Sequence, residues 1–212
     1  WLAEQGLYER FRDDYRARGA TGWIRDALQD SPLPTEAFEE CYIGRRAVEW
    51  LDTADDTFPW HLLVSFVGPH DPFDPPTEYA DRYRDAAMPE AVCHDPVGKP
   101  ARTVARNVGL EPAEVAVARR QYSALVECID AQIGEILAAV ERRGELDNTY
   151  ILFTSDHGEM LGDHGIFQKS VPYEGAVRVP LLAAGPGIEA GRVRDALVEL
   201  IDVNPTICDL AG

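Results

Sequence analysis

Basic residues are scarce in this sequence, at 20 Lys and Arg against 37 Asp and Glu, a formal net charge of -17. That deficit excludes nucleic acid or an anionic membrane as the main partner, because both reward a basic surface. An anionic small substrate would have to be met by a few local cations or a metal that override the global field. Long apolar runs are absent too: none approaches the roughly 18 residues that a membrane span needs. The four cysteines, Cys41, Cys93, Cys128 and Cys208, form no CxxC pair, which removes the usual thiolate zinc site. They are expected to be buried free thiols of a reducing compartment. No signal peptide is visible and the first residue is Trp1 rather than Met, so the compartment stays open and a fragment of a longer protein is the expectation.

What is present is a globular composition, 45% hydrophobic with four Trp, eight Tyr and seven Phe, which rules out global disorder. The length suits one domain. Residues 1–34, charged and ending at "SPLP", read as a variable surface segment with a short helix and a loop, and residues 35–212 as an α/β core. From Thr35, which is placed to cap it, a helix is predicted on apolar spacing through Phe38, Tyr42, Ile43, Ala47, Val48 and Leu51. A longer one is predicted from Pro112 to Arg143, with Pro near its start and Gly144 just past its end. "WHLLVSFVG", "TYILFTS", "VPLLAAG" and "ALVELIDV" are strand-length apolar runs, the first expected to be buried on both faces, and a short helix is expected near Pro205. Strands alternating with helices imply a largely parallel sheet flanked by helices.

In open α/β sheets, sites form in the crevice at the carboxyl ends of the strands. "TYILFTS" delivers Asp156 and His157 at its end, and "HLLVSFVG" delivers His70 two residues past Gly68. Asp156 offers a hard oxygen and His157 an imidazole, and Gly158 leaves room for close backbone approach. Taken singly, each has a plainer reading. Asp156 could cap a helix beginning near Gly158, His157 and His164 could be satisfied polar residues, and Lys169 could be a solvated ammonium.

The block "FTSDHGEMLGDHGIFQKSVPYEGAVRVPLL" closely resembles a segment of the sulfatase family. There a strand ends in a metal-binding Asp followed by Asn or His, then come a loop lysine and a "YEG..RVP" turn. "LLVSFVGPHDPFDPP", "YSALVECIDAQIGEIL" and "LVELIDVNPTICDLAG" match further family stretches in order, so the resemblance runs from about Phe38 to Gly212. It implies the alkaline-phosphatase-like α/β fold, here as a partial domain. It also implies Asp156 and His157 as ligands of a divalent metal, and His70 and Lys169 as catalytic, sulfate-contacting residues. Calcium is the first expectation for the metal. Manganese and magnesium stand as alternatives, manganese because the imidazole of His157 suits a transition ion better than it suits calcium. An imidazole titrates near neutrality, so His70 is the candidate proton donor to the leaving alcohol, with Lys169 as a point charge on the anion.

The family's nucleophile, a Cys or Ser in "C/S-x-P/A-x-R" that maturation converts to formylglycine, has no counterpart here. Cys41 is followed by "YIGRR", Cys93 by "HDPVG", Cys128 by "IDAQI" and Cys208 by "DLAG". The paired aspartates and the "GKWHLG"-like segment are missing as well. The expectation is therefore a sulfuric ester hydrolase acting on a small-molecule or carbohydrate sulfate ester. This chain would carry part of its site, the formylglycine would lie elsewhere, and the isolated 212-residue chain would be inactive. Two alternatives remain at this point: a phosphonate or phosphate ester hydrolase of the same superfamily, since both anions are tetrahedral, and a non-catalytic truncated relative.

Overall fold

The computed structural model describes all residues except 19–27, 56, 94, 96 and 105–107. Part of the surface loop expected before "SPLP", with Trp23, lies outside the described residues. The first helix, α1, is Tyr8–Arg18, and its last residue is buried, with Arg18 Nη1 2.9 Å from Asp74 Oδ2.

Helix α2 spans Glu39–Thr53. Thr35 does not cap it. Thr35 opens a separate 3₁₀ turn, Thr35–Ala37, and its hydroxyl donates to Glu78 Oε2 at 3.1 Å, which leaves Phe38 at the N-cap position with no side-chain cap. Two short helices follow, α3 at Thr77–Tyr83 and α4 at Ala101–Val104, and then the long α5, Pro112–Arg142. The start of α5 is fixed by a reciprocal capping box between Glu111 and Glu114 with Pro112 in the first turn, which satisfies otherwise orphaned backbone N–H groups. Gly144 lies just past its end with φ 71°, a value glycine adopts at no cost.

Helices α2 and α3 pack on α5. The core between them comprises Phe38, Cys41, Phe73, Tyr79, Leu125, Cys128 and Phe167 among others. At Gly44 the approach is close enough that a Cβ would meet Gln132 Oε1 at 2.6 Å, so a glycine there lets α2 settle against α5. A separate cluster of Leu51, Ala139 and Val140, with Trp60 and Leu62 packed on it, anchors the segment leading to His70. Trp60 Nε1 also donates to Glu145 Oε2 at 2.8 Å.

Strand β1 is Ile151–Thr154 and β2 is Leu181–Ala184. They pair antiparallel, Ile151 opposite Ala184 and Thr154 opposite Leu181, not in the parallel sense that the sequence suggested. The α/β architecture stands, but among the described residues the sheet has two strands. "HLLVSFVG" forms no ladder, and it is not buried on both faces: Leu63 is 81% exposed and Val67 55%. An apolar run records a preference for burial; a strand needs a hydrogen-bonding partner beside it, and no described element supplies one. "ALVELIDV" is likewise not a strand. It contains the 3₁₀ turn Leu200–Asp202 and enters helix α7, Val203–Ala211, which follows the short α6, Glu174–Val177. Of the cysteines, Cys41 and Cys128 are buried, with sulfurs 3.7 Å apart, whereas Cys93 and Cys208 are exposed, contrary to expectation. Among the described residues no helix is long and apolar enough to cross a membrane.

Candidate functional site

The segment after "HLLVSFVG" bends sharply at Pro69 and Pro72, each preceded by a cis peptide bond. The bend is pinned from below by Glu40 on α2, whose Oε1 accepts the Gly68 N–H at 2.6 Å. Burial pushes the Glu40 carboxyl above its ordinary range, against the pull of that N–H. His70 follows. Its Nδ1 lies 2.9 Å from the carbonyl oxygen of Asp71 and 3.2 Å from the Asp71 carboxylate. A carbonyl can only accept, so Nδ1 carries the proton and Nε2 presents a lone pair. Facing that lone pair is Lys169, its Nζ 2.5 Å from Nε2.

The chain leaving β1 turns at once. Ser155 Oγ donates to the His157 carbonyl at 2.7 Å, and the His157 N–H donates to Asp156 Oδ1 at 2.9 Å. No helix starts at Gly158, so helix capping does not account for Asp156. Gly158 is held by its N–H to the Ala176 carbonyl at 2.8 Å, and a Cβ there would lie 2.1 Å from the Gly175 carbonyl oxygen. Only glycine allows this approach.

His157 Nδ1 lies 2.9 Å from the Gly158 carbonyl, so it too carries the proton. Its Nε2 then turns a lone pair toward Asp156 Oδ2, 3.3 Å away. Two acceptors facing one another are stabilised when a cation sits between them, and an imidazole whose second nitrogen donates to a carbonyl is the common state of a metal ligand. The pair therefore fits two positions of a divalent-metal shell, and the exposed Asp156 carboxylate is open to one. Among the described residues no group of three or more His, Cys, Asp or Glu side chains gathers into a complete metal site. The His70 and His157 rings lie edge to face, centroids 6.3 Å apart. The four candidate residues from two remote segments thus adjoin one another.

The second Asp-His-Gly triplet forms a 3₁₀ turn, Asp163–Gly165. His164 stacks on Tyr173 at 4.3 Å and its Nδ1 lies 3.1 Å from the Cys93 carbonyl, so it orders the loop and does not enter the metal pair. Arg119 on α5 ties the same loop down, donating to the Leu161 carbonyl at 3.0 Å and to Asp163 Oδ1 at 2.6 Å. Met160, Ile166, Val171 and Ala176 bury the loop's apolar side. Glu159 is a site residue that spacing does not single out. Its Oε1 accepts the N–H groups of Gln168 at 2.5 Å and Leu161 at 3.3 Å. Burial raises its carboxyl above the usual range while those two N–H groups pull it down.

A family model described as Sulfatase matches residues 10–212. The chain is 36% identical over 185 residues to an arylsulfatase of Clostridium perfringens, covering 80% of this chain and 37% of that protein. It is 38% identical over 163 residues to a choline-sulfatase of Rhizobium meliloti, covering 73% and 32%. The crystal structure of a phosphonate monoester hydrolase of Agrobacterium radiobacter superposes with a TM-score of 0.79 at 27% identity, over 91% of this chain and 42% of that one. The chain thus spans about a third of the length of these two curated relatives.

Proposed function

The chain belongs to the sulfatase family, and from that premise we propose that the protein containing it is a metal-dependent sulfuric ester hydrolase. One observation carries the proposal: Lys169 and the Nε2 edge of His70 meet within 2.5 Å, beside the paired acceptors of Asp156 and His157. A cation, an imidazole and a pair of facing acceptors suited to a metal, brought side by side, are the complement of a tetrahedral anionic group whose charge must be stabilised in the transition state.

Lys169 Nζ is held by the His70 Nε2 lone pair. An arriving sulfate ester offers the ammonium a stronger, charged acceptor, so Lys169 turns to a sulfonate oxygen and frees Nε2. The Asp71 carbonyl keeps the His70 proton on Nδ1, which leaves Nε2 as the atom that takes a second proton from solvent and delivers it to the alcohol oxygen as the bond from that oxygen to sulfur breaks. Asp156 and His157 would hold a divalent cation, calcium first and manganese or magnesium as alternatives, which when bound supplies Lewis-acid stabilisation of charge on the sulfonate group. No cysteine or serine of this chain stands in the nucleophile motif, so in this reading the formylglycine would be supplied by residues outside the 212. The substrate class is a small-molecule or carbohydrate sulfate ester.

A second reading, phosphonate or phosphate ester hydrolysis, is favoured by the superposition on the phosphonate monoester hydrolase. The two are separated by measuring kcat/KM of the full-length enzyme for an aryl sulfate and for a matched phosphodiester. The sulfate ester is expected to be the better substrate; a dominant phosphodiesterase activity replaces the first reading with the second.

A further inference from the structure

Glu159 lies in the sequence between the Asp156–His157 pair and Lys169, and nothing in the reaction outlined above uses it. Its two hydrogen bonds share a feature. Both donors, Leu161 and Gln168, are non-glycine residues with positive φ, 46° and 67°. Among the described residues three non-glycine positions have positive φ, and the third, His164, lies in the same loop. Side chains of L residues rarely adopt this backbone, and it persists only where the surroundings over-determine it. A single carboxylate oxygen thus restrains two of the three.

Gln168 immediately precedes Lys169, so its backbone angles set the direction in which Lys169 leaves the loop. The rest of the bend is held by Met160 N–H donating to the Gln168 carbonyl at 3.2 Å and by Val171 N–H donating to the Lys169 carbonyl at 2.7 Å. Ile166 and Val171, on either side, are buried, which leaves the φ of Gln168 as the element that Glu159 controls. The result of this bend is the 2.5 Å approach of Lys169 Nζ to His70 Nε2.

We propose that Glu159 is a positioning residue, whose carboxylate holds Gln168 in the left-handed conformation and thereby aims the Lys169 ammonium at the anion-facing edge of His70. The proposal rests on the function given above, in which Lys169 contacts the sulfate. It acts through geometry, with no proton or bond transferred.

The test uses the full-length enzyme with an aryl sulfate, in the Glu159→Ala, Glu159→Gln and Lys169→Ala variants and the Glu159→Ala/Lys169→Ala pair. Glu159→Ala is expected to lower kcat/KM on the order of 100-fold, the cost of a misplacement near 1 Å. In the Lys169→Ala background it is expected to add almost nothing, because the two act as one unit. Glu159→Gln keeps an acceptor oxygen and is expected to stay within roughly tenfold of the parent, its neutral bonds being weaker than charge-assisted ones. It also serves where the alanine variant does not fold. An equal loss from Glu159→Ala with and without Lys169, full activity of that variant, or a glutamine variant as impaired as Lys169→Ala each overturn the proposal. Crystal structures of the parent and the glutamine and alanine variants give a readout independent of turnover: Gln168 is expected to leave positive φ only in the alanine variant, and an unchanged loop there refutes the assignment. If the parent hydrolyses no sulfate ester, the functional premise fails, and the crystallographic comparison alone decides the role of Glu159.

Discussion

Lys169 Nζ stands 2.5 Å from His70 Nε2 although the two residues are 99 positions apart in the sequence. One comes from the loop behind β1, the other from the bend that follows a segment with no strand partner, so their meeting is a product of the tertiary fold. Each has a separate expected contribution. Lys169→Ala removes one charge-stabilising donor and is expected to cost about 10²–10³ in kcat/KM of the full-length enzyme. His70→Ala removes a general acid and is expected to cost about 10²–10⁴. The loss from His70→Ala should shrink with sulfate esters of acidic phenols, whose leaving groups need no proton, while the Lys169→Ala loss should not. Kinetics across a series of leaving groups check this, and equal dependence in both variants contradicts the assigned roles.

Gly158→Ala is predicted to damage the fold around Asp156 and His157. Its Cβ would come within 2.1 Å of the Gly175 carbonyl oxygen, so either the turn after β1 or helix α6 must shift. Overpacking of this kind costs typically 1–3 kcal/mol. Denaturant unfolding of the parent and the variant measures it; an unchanged midpoint shows that the two backbones are not in contact.

Burial pushes the Asp74 carboxyl up to about 7, against the pull of Arg18. Its pKa in the folded protein is therefore above that of the unfolded chain. The stability that it contributes is fully present below the ordinary carboxylate range, falls as the unfolded chain begins to ionise, and is lost as pH rises through the folded value. The stability difference between the parent and Asp74→Asn is expected to fall between about pH 5 and about pH 8. Thermal melts at both pH values test this, and a difference that stays flat or grows contradicts it.

The sequence carries some of this molecule plainly. The apolar spacing of Val115, Leu125 and Ile129 and the flanking Pro112 and Gly144 mark α5 to within a residue of its end. That Asp156, His157, His70 and Lys169 come together is legible mainly because the surrounding blocks resemble a family; only Asp156 and His157 follow a strand, and the strand expected before His70 does not form. The antiparallel pairing of β1 with β2 is not legible, since period and composition do not encode strand direction. "HLLVSFVG" misleads for a related reason: hydrophobicity reports a tendency to be covered, and Leu63 is uncovered here. Glu159 is hidden for another reason again. Its role depends on the backbone angles of Leu161 and Gln168, which no side-chain pattern announces.

In the proposed function Asp156 and His157 hold a divalent metal beside an anion site made by His70 and Lys169. The most direct measurement is a crystal structure of the full-length protein grown with manganese and inorganic sulfate, with anomalous scattering locating the metal. Manganese is expected on an Asp156 carboxylate oxygen and on His157 Nε2, and sulfate within hydrogen-bonding reach of Lys169 Nζ and His70 Nε2. Metal bound elsewhere, or sulfate absent from the crevice while Lys169 stays on His70, would contradict the proposal.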